Sequence, residues 1–394
     1  MKKINLLIPA IMLFACSKAQ EPYNIPESSG KFAVDLYKQL TQESQGNIFI
    51  SPFSINTAMG MTYAGANAET KNQISQVFGY PLEDKNLHAE LGNLQLRLGK
   101  MESEGIEISV ANQLWADKEY KFRCRYTRGV KRAYKAPVKK MPFRVTPDKC
   151  RLEINSWVEA QTKERVKDLL PEGSITDLTA LVLTNAIYFK GQWDTKFDAE
   201  NTTDGFFFTS PSEKVECRMM NAQKKFNLYR GDEIALIELP YVDKKFSMLV
   251  LLPNEETSLA EVEKGFSIEK LNKYFDLMAE SDVSLSFPKF KFESEFKLKS
   301  SLSQMGMPIA FSDKADFTRM SKKPDLKIDE VYHKAFVEVS EEGTEAAAAT
   351  AVVVVRKSFA VPEKFIANRP FLFLIRENET GNILFMGRVV NPAK

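Results

Sequence analysis

The chain has 394 residues, of which 44% are apolar and 27% charged, with 54 basic against 52 acidic side chains. That length buries a large core, and the composition is that of a globular domain rather than a collagenous or disordered chain. The near balance of charge gives no reason to expect nucleic acid as a partner.

The first residues read as a leader. Lys2 and Lys3 precede an apolar run from Ile4 to Ala15, too short for a permanent membrane span, and the run ends in Leu13-Phe14-Ala15-Cys16. This pattern resembles a bacterial lipobox, which implies cleavage before Cys16 and lipid on its sulfur; a plain secretory signal cut nearby is the alternative. Residues 1–15 are thus expected to be removed, and 16–28 to tether a single domain, 29–394, to the cell envelope outside the cytoplasm. Without the lipid the protein would be secreted. Loss of the leader removes two basic residues and leaves the charges equal. Cys124, Cys150 and Cys217 then remain, widely spaced and forming neither a disulfide framework nor a metal motif.

Helical patterns dominate the first half. They cover Lys31 to Leu40, the stretch from Ser51-Pro52 to Gly65, Ala68 to Phe78, and Glu90 to Lys100. Pro52 suits a first helical turn. Strand patterns follow. Ile106 to Val110 alternates with period two, and Leu181 to Phe189 is a nearly continuous apolar run, as in a strand covered on both faces. Further strands are expected at Ile234–Leu239, Phe246–Leu252 and Val283–Phe287. Phe371–Ile375 and Ile383–Val390 form a hairpin across Glu379-Thr380-Gly381-Asn382. The order predicts an α+β fold with mainly antiparallel sheets.

Few residues here could be assembled into a catalyst. There are two histidines: His88 in a polar segment and His333 inside Val331-Tyr332-His333-Lys334-Ala335-Phe336-Val337. Neither has metal-ligand spacing, and no phosphate loop or nucleophile elbow is present. No catalytic residue, cofactor or metal is assigned. A different segment stands out. Glu341-Glu342-Gly343-Thr344-Glu345-Ala346-Ala347-Ala348-Ala349-Thr350-Ala351-Val352-Val353-Val354-Val355-Arg356-Lys357-Ser358 passes from acidic to small to β-branched to basic. Ala346–Ala349 could form a short helix, but the valines favour a strand. Read with period two, Thr344, Ala346, Ala348, Thr350, Val352 and Val354 share a small, uncharged face, and Glu345 falls on the other. The segment is fit to enter a sheet, and left exposed it would be an aggregation hazard.

This segment resembles the reactive-centre loop and hinge of serpins, and other motifs match in order. They are Asn47-Ile48-Phe49-Ile50-Ser51-Pro52-Phe53-Ser54-Ile55, Thr184-Asn185-Ala186-Ile187-Tyr188-Phe189-Lys190-Gly191-Gln192-Trp193, Phe287-Pro288-Lys289-Phe290, Leu298 to Met307 with Ala315-Asp316-Phe317, and His333 to Val339. Asn368-Arg369-Pro370-Phe371-Leu372-Phe373 and Gly381 to Arg388 complete the series.

The resemblance implies three mainly antiparallel β-sheets with about eight or nine helices, and an exposed reactive loop over 341–362. It implies a suicide inhibitor, monomeric and not an enzyme. A serine protease cuts the loop, the loop inserts into the large sheet, and the acyl-enzyme is trapped. In inhibitory serpins seventeen residues run from the hinge glutamate through the residue before the scissile bond, which from Glu341 ends at Lys357. The expected bond is Lys357-Ser358 and the target trypsin-like. Arg356 serves if the frame slips by one, and Val355 would admit an elastase-like protease. The hinge, Glu341 to Ala349, lacks bulky or Pro residues on its inward face, as in inhibitory members. A non-inhibitory binding protein on the same fold is the alternative. The resemblance also groups Ser51, Ser54, Asn185 and His333 behind the centre of the large sheet, where they control its opening. Trp193, Lys289 and Glu341 fall where the loop enters, with a Lys289–Glu341 ion pair.

Lys121 to Lys140 holds nine Lys/Arg and no acid, and at helical spacing Arg125, Arg128, Arg132 and Lys135 share a face. A solvated face is the favoured reading; a sulfated polyanion site is the sharper one.

Overall fold

The computed structural model describes residues 25–83, 86–323, 325–344 and 361–394. Cys16, Glu345, Ala346 to Ala349, and Val355 to Ser358 lie outside the described residues. The first half runs α1 (Ile25–Glu43), β1 (Ile48–Ile50), α2 (Pro52–Tyr63), α3 (Ala68–Phe78), α4 (Leu87–Lys100), β2 (Ile106–Asp117), α5 (Cys124–Tyr134), β3 (Lys139–Met141), α6 (Pro147–Gln161) and β4 (Leu181–Gln192). Then come β5 (Thr203–Phe208), β6 (Lys214–Arg230), β7 (Ile234–Pro240), β8 (Phe246–Pro253), α7 (Leu259–Gly265), α8 (Ile268–Asp276), β9 (Ala279–Pro288), β10 (Phe290–Lys297) and α9 (Lys299–Gln304). The chain closes with β11 (Tyr332–Ser340), β12 (Gly343–Thr344), β13 (Glu363–Ile366), β14 (Phe371–Glu377) and β15 (Ile383–Val389).

The strands form two hydrogen-bonded networks. One has six strands in the order β10-β11-β12-β4-β2-β3. The other has nine and divides at β6. One end of this long strand pairs β7 and leads through β8 and β14 to β15 and β1. Lys214–Met219 pairs β5 and Met219–Leu228 pairs β9, so that Asn227 and Leu228 are paired on both sides, and β9 pairs β13. Where three sheets are expected, the described strands thus form two hydrogen-bonded networks, the larger one continuous through β6.

Every residue of α2 is buried. The Ser51 side chain caps the helix by accepting from the Ser54 N–H, and Pro52 occupies its first turn, where the missing N–H costs nothing. The helix lies between the six-stranded sheet and the β1–β15 edge, packed with stacked Phe49 and Phe385 rings. The opposite face of the six-stranded sheet carries α6 over a separate apolar cluster of Trp115, Phe143, Ile154, Val158 and Val182.

Two boundaries differ from the sequence reading. The helix α1 begins at Ile25, and Ile25, Ser29 and Gly30 are buried, so the folded domain starts before residue 29. Pro26 and the Ser28-Ser29-Gly30 run read as linker, yet proline is tolerated in a first turn. The strand β2 continues seven residues past Val110, to Asp117. Asn112 and Gln113 interrupt the apolar alternation, but both are buried and hydrogen-bonded.

Candidate functional site

The central strands of the six-stranded sheet are β11 and β4. They run parallel and pair directly only at one end, where Tyr332–Lys334 face Thr184–Ala186. At the other end β12 lies between them, antiparallel to both. Thr344 pairs Val339 and Gly191, and Gly343 pairs Ser340 and Gln192. The first two residues after the acidic turn are therefore already inside the sheet. Gly343 has φ +149°, and a Cβ there would lie 2.0 Å from the Gly191 carbonyl oxygen, so only glycine fits this close backbone approach.

The turn into β12 is held by side chains from several elements. Trp193 is buried; its Nε1–H donates to the Ser340 carbonyl at 3.0 Å, and its backbone N–H donates to Glu342 O. Lys289 Nζ lies 2.7 Å from Glu341 Oε2, and the Thr202 hydroxyl donates to Glu341 Oε1 at 2.9 Å. Burial pushes the Glu341 carboxyl up, but the Lys289 ammonium, the residue's own backbone N–H and the Thr202 hydroxyl outweigh it and hold the group below the usual range. Lys196 pairs with Glu342. Trp193, Lys289 and Glu341 are thus brought together as a group; Thr202 and Lys196 join it without any motif to mark them.

Ser51, Ser54, Asn185 and His333 also meet, beneath the centre of the sheet, and all four are fully buried. His333 Nε2 accepts from the Ser51 N–H at 3.0 Å, and its Nδ1–H donates to Asn185 Oδ1 at 3.0 Å. Asn185 Nδ2 donates to Ser54 Oγ at 2.6 Å and to Asn112 Oδ1 at 2.8 Å. The Ser51 hydroxyl donates to Leu384 O. Each ring nitrogen thus has one fixed role, which requires a neutral imidazole. Burial agrees, pushing the His333 pKa down to about 3. Asn112 belongs to this network but was not picked out from the sequence. The network ties α2 to β4, β11 and β15 at the end where β4 and β11 still touch, so separating the strands there must break it.

The other candidates are dispersed. Among the described residues no cluster of His, Cys, Asp or Glu could hold a metal ion. Cys124, Cys150 and Cys217 are free thiols, with Cys124 exposed and Cys150 buried. His88 is only partly exposed, with Nδ1 at 2.7 Å from the Tyr134 hydroxyl. Arg125, Arg128 and Arg132 are exposed on α5, and Lys135 is exposed just past its end in a left-handed conformation.

Comparison with known proteins agrees over nearly the whole chain. Residues 27–392 match the family model "Serpin (serine protease inhibitor)". Human Serpin B4 is 41% identical, covering 94% of this chain and 100% of its own. The leukocyte elastase inhibitor of Xenopus tropicalis is 40% identical over the same shares. Human thyroxine-binding globulin, solved in complex with its hormone, superposes with a TM-score of 0.85 at 31% identity, covering 93% of this chain and 98% of its own. The chain belongs to the serpin family, a family of serine protease inhibitors rather than enzymes.

Proposed function

We propose that this serpin is a suicide inhibitor of trypsin-like serine proteases, cut at Lys357-Ser358 and trapping the acyl-enzyme by inserting residues 345 onward between β11 and β4. The observation that carries this reading is the pairing of Gly343 and Thr344 with both strands. A strand extended from there would replace one parallel contact with two antiparallel ones, the slightly more stable pairing. Each new backbone hydrogen bond is worth about 0.5–1.5 kcal/mol. The residues that follow Thr344 on its face of the strand are small and uncharged, so none would meet the core as a buried ion. Incubation with trypsin and a denaturing gel tests the proposal: a covalent complex of the two chains is expected, and a cleaved chain alone would reject it.

That second outcome is the mark of a non-inhibitory binding protein, a reading favoured by the likeness to thyroxine-binding globulin. The likeness to a leukocyte elastase inhibitor favours testing an elastase-like protease in parallel, with Val355 as the residue it would accept. We also propose anchoring of a monomer to the cell envelope through lipid on Cys16. Detergent partitioning of the chain, lost on Cys16→Ser, is the expected behaviour. The basic face of α5 is read as solvated; retention on a heparin column beyond low salt would instead make it a polyanion site.

A further inference from the structure

Tyr241 follows directly on β7 and is fully buried. Its ring stacks on the Trp193 indole, centroids 4.8 Å apart and 11° from parallel. It lies so close beneath Gly191 that a Cβ on that residue would come within 2.7 Å of Tyr241 Cδ1. The ring is therefore fixed on two sides, and its oxygen has one direction to face. That oxygen is 2.7 Å from the Thr344 hydroxyl, and Thr344 itself is 2% exposed. One hydroxyl thus donates to the other where water does not reach, and removing either leaves the other buried without this bond. The backbone of Thr344 is paired on both sides at the same point.

From this geometry we propose that Tyr241 is a positioning residue that seats Thr344 in the sheet before any cut, so that insertion propagates from a fixed first residue. The proposal rests on the trapping function above. Ordering the first residues of a strand costs conformational entropy before later contacts repay it. A seat already filled removes that cost from the race between insertion and hydrolysis. Tyr241 touches neither the protease nor the scissile bond; it acts only through Thr344.

The test uses the full uncut chain in five forms: unmodified, Tyr241→Phe, Thr344→Val, the double variant, and Thr344→Ser. Hydrogen exchange read by mass spectrometry on peptides spanning Gly343 and Thr344 reports seating without any protease. Slow exchange is expected in the unmodified chain and in Thr344→Ser, which keeps the hydroxyl. Exchange about tenfold faster is expected in the Phe and Val variants, the scale of one buried hydrogen bond, with no further increase in the double variant. The stoichiometry of trypsin trapping should rise in the same three chains. Unchanged exchange in both single variants, or additive increases in the double, overturns the seat. Coupled exchange with no covalent complex in any chain keeps the seat and rejects the inhibitor reading. Complex formation at one stoichiometry throughout keeps the inhibitor and rejects the positioning role.

Discussion

Lys289 Nζ and Glu341 Oε2 lie 2.7 Å apart, which joins the residue after β9 to the turn where the loop enters the sheet. The lysine side chain is 38% exposed, so the pair is worth about 1 kcal/mol at most, and its role is to hold the turn in place. Glu341 has a depressed pKa when folded. Its contribution is complete above the unfolded value of 4.5 and is lost as pH falls through the lower folded value. Denaturation midpoints of Glu341→Gln and the unmodified chain should therefore differ at pH 7 and converge as the pH drops below that range. Equal midpoints at pH 7 would show that the pair contributes nothing.

His333 gives a second acid dependence. Its folded pKa of about 3 lies below the unfolded 6.5, so the unfolded chain binds the extra proton between those values. Stability from this group is complete above pH 6.5 and is lost toward pH 3, at no more than about 1.4 kcal/mol per pH unit. His333→Gln should be less stable at neutral pH, because the Ser51 and Asn185 contacts are disturbed, but its urea midpoint should fall less steeply from pH 6.5 to 5. Parallel slopes in the two chains would contradict the neutral buried imidazole.

Two glycines of α4 separate packing from propensity. A Cβ on Gly92 would lie 1.9 Å from the Ala133 carbonyl oxygen, so α4 and α5 meet there backbone to backbone, whereas nothing lies within 4 Å of a Cβ on Gly99. Alanine gains up to about 1 kcal/mol of helix propensity at either site, while overpacking at the first costs roughly 1–3 kcal/mol. Gly92→Ala should lower the urea midpoint and Gly99→Ala should raise it or leave it unchanged. A gain in both would mean that the helices can move apart at little cost.

Elements with a regular apolar pattern were legible: α2 from Ser51-Pro52, β4 from its unbroken apolar run, and the β14–β15 hairpin from the turn at Gly381. The strand β6 was not. It runs from Lys214 to Arg230 with most side chains exposed or half-buried, so its polar face hides its period. The helix α6 has a weak apolar stripe because it covers only the outside of one sheet. The site was legible in part. Ser51, Ser54, Asn185 and His333 are far apart in the chain, and only the family resemblance groups them. Asn112 and Tyr241 escaped notice because one buried amide and one buried phenol carry no spacing signal; their roles depend on which strand the fold lays beside them.

Thr344 fixes the parity of everything that follows it. Its side chain points into the core toward Tyr241, so a strand continued from it with period two buries Ala346 and Ala348 and turns Ala347 outward. Glu345, the one charge between Thr344 and Val355, would take the outward face of such a strand. A carboxylate forced onto the inward face would enter the core unpaired, at a cost of several kcal/mol, which slows insertion relative to hydrolysis of the acyl-enzyme. On the proposed trapping function, Ala346→Glu should therefore yield cleaved chain in place of complex, whereas Ala347→Glu should trap nearly as well as the unmodified chain. Titration against active trypsin, with complex and cleaved chain measured on one denaturing gel, reads both variants. Equal loss in the two, or loss only in Ala347→Glu, would mean that the inserted strand does not continue the register set by Thr344.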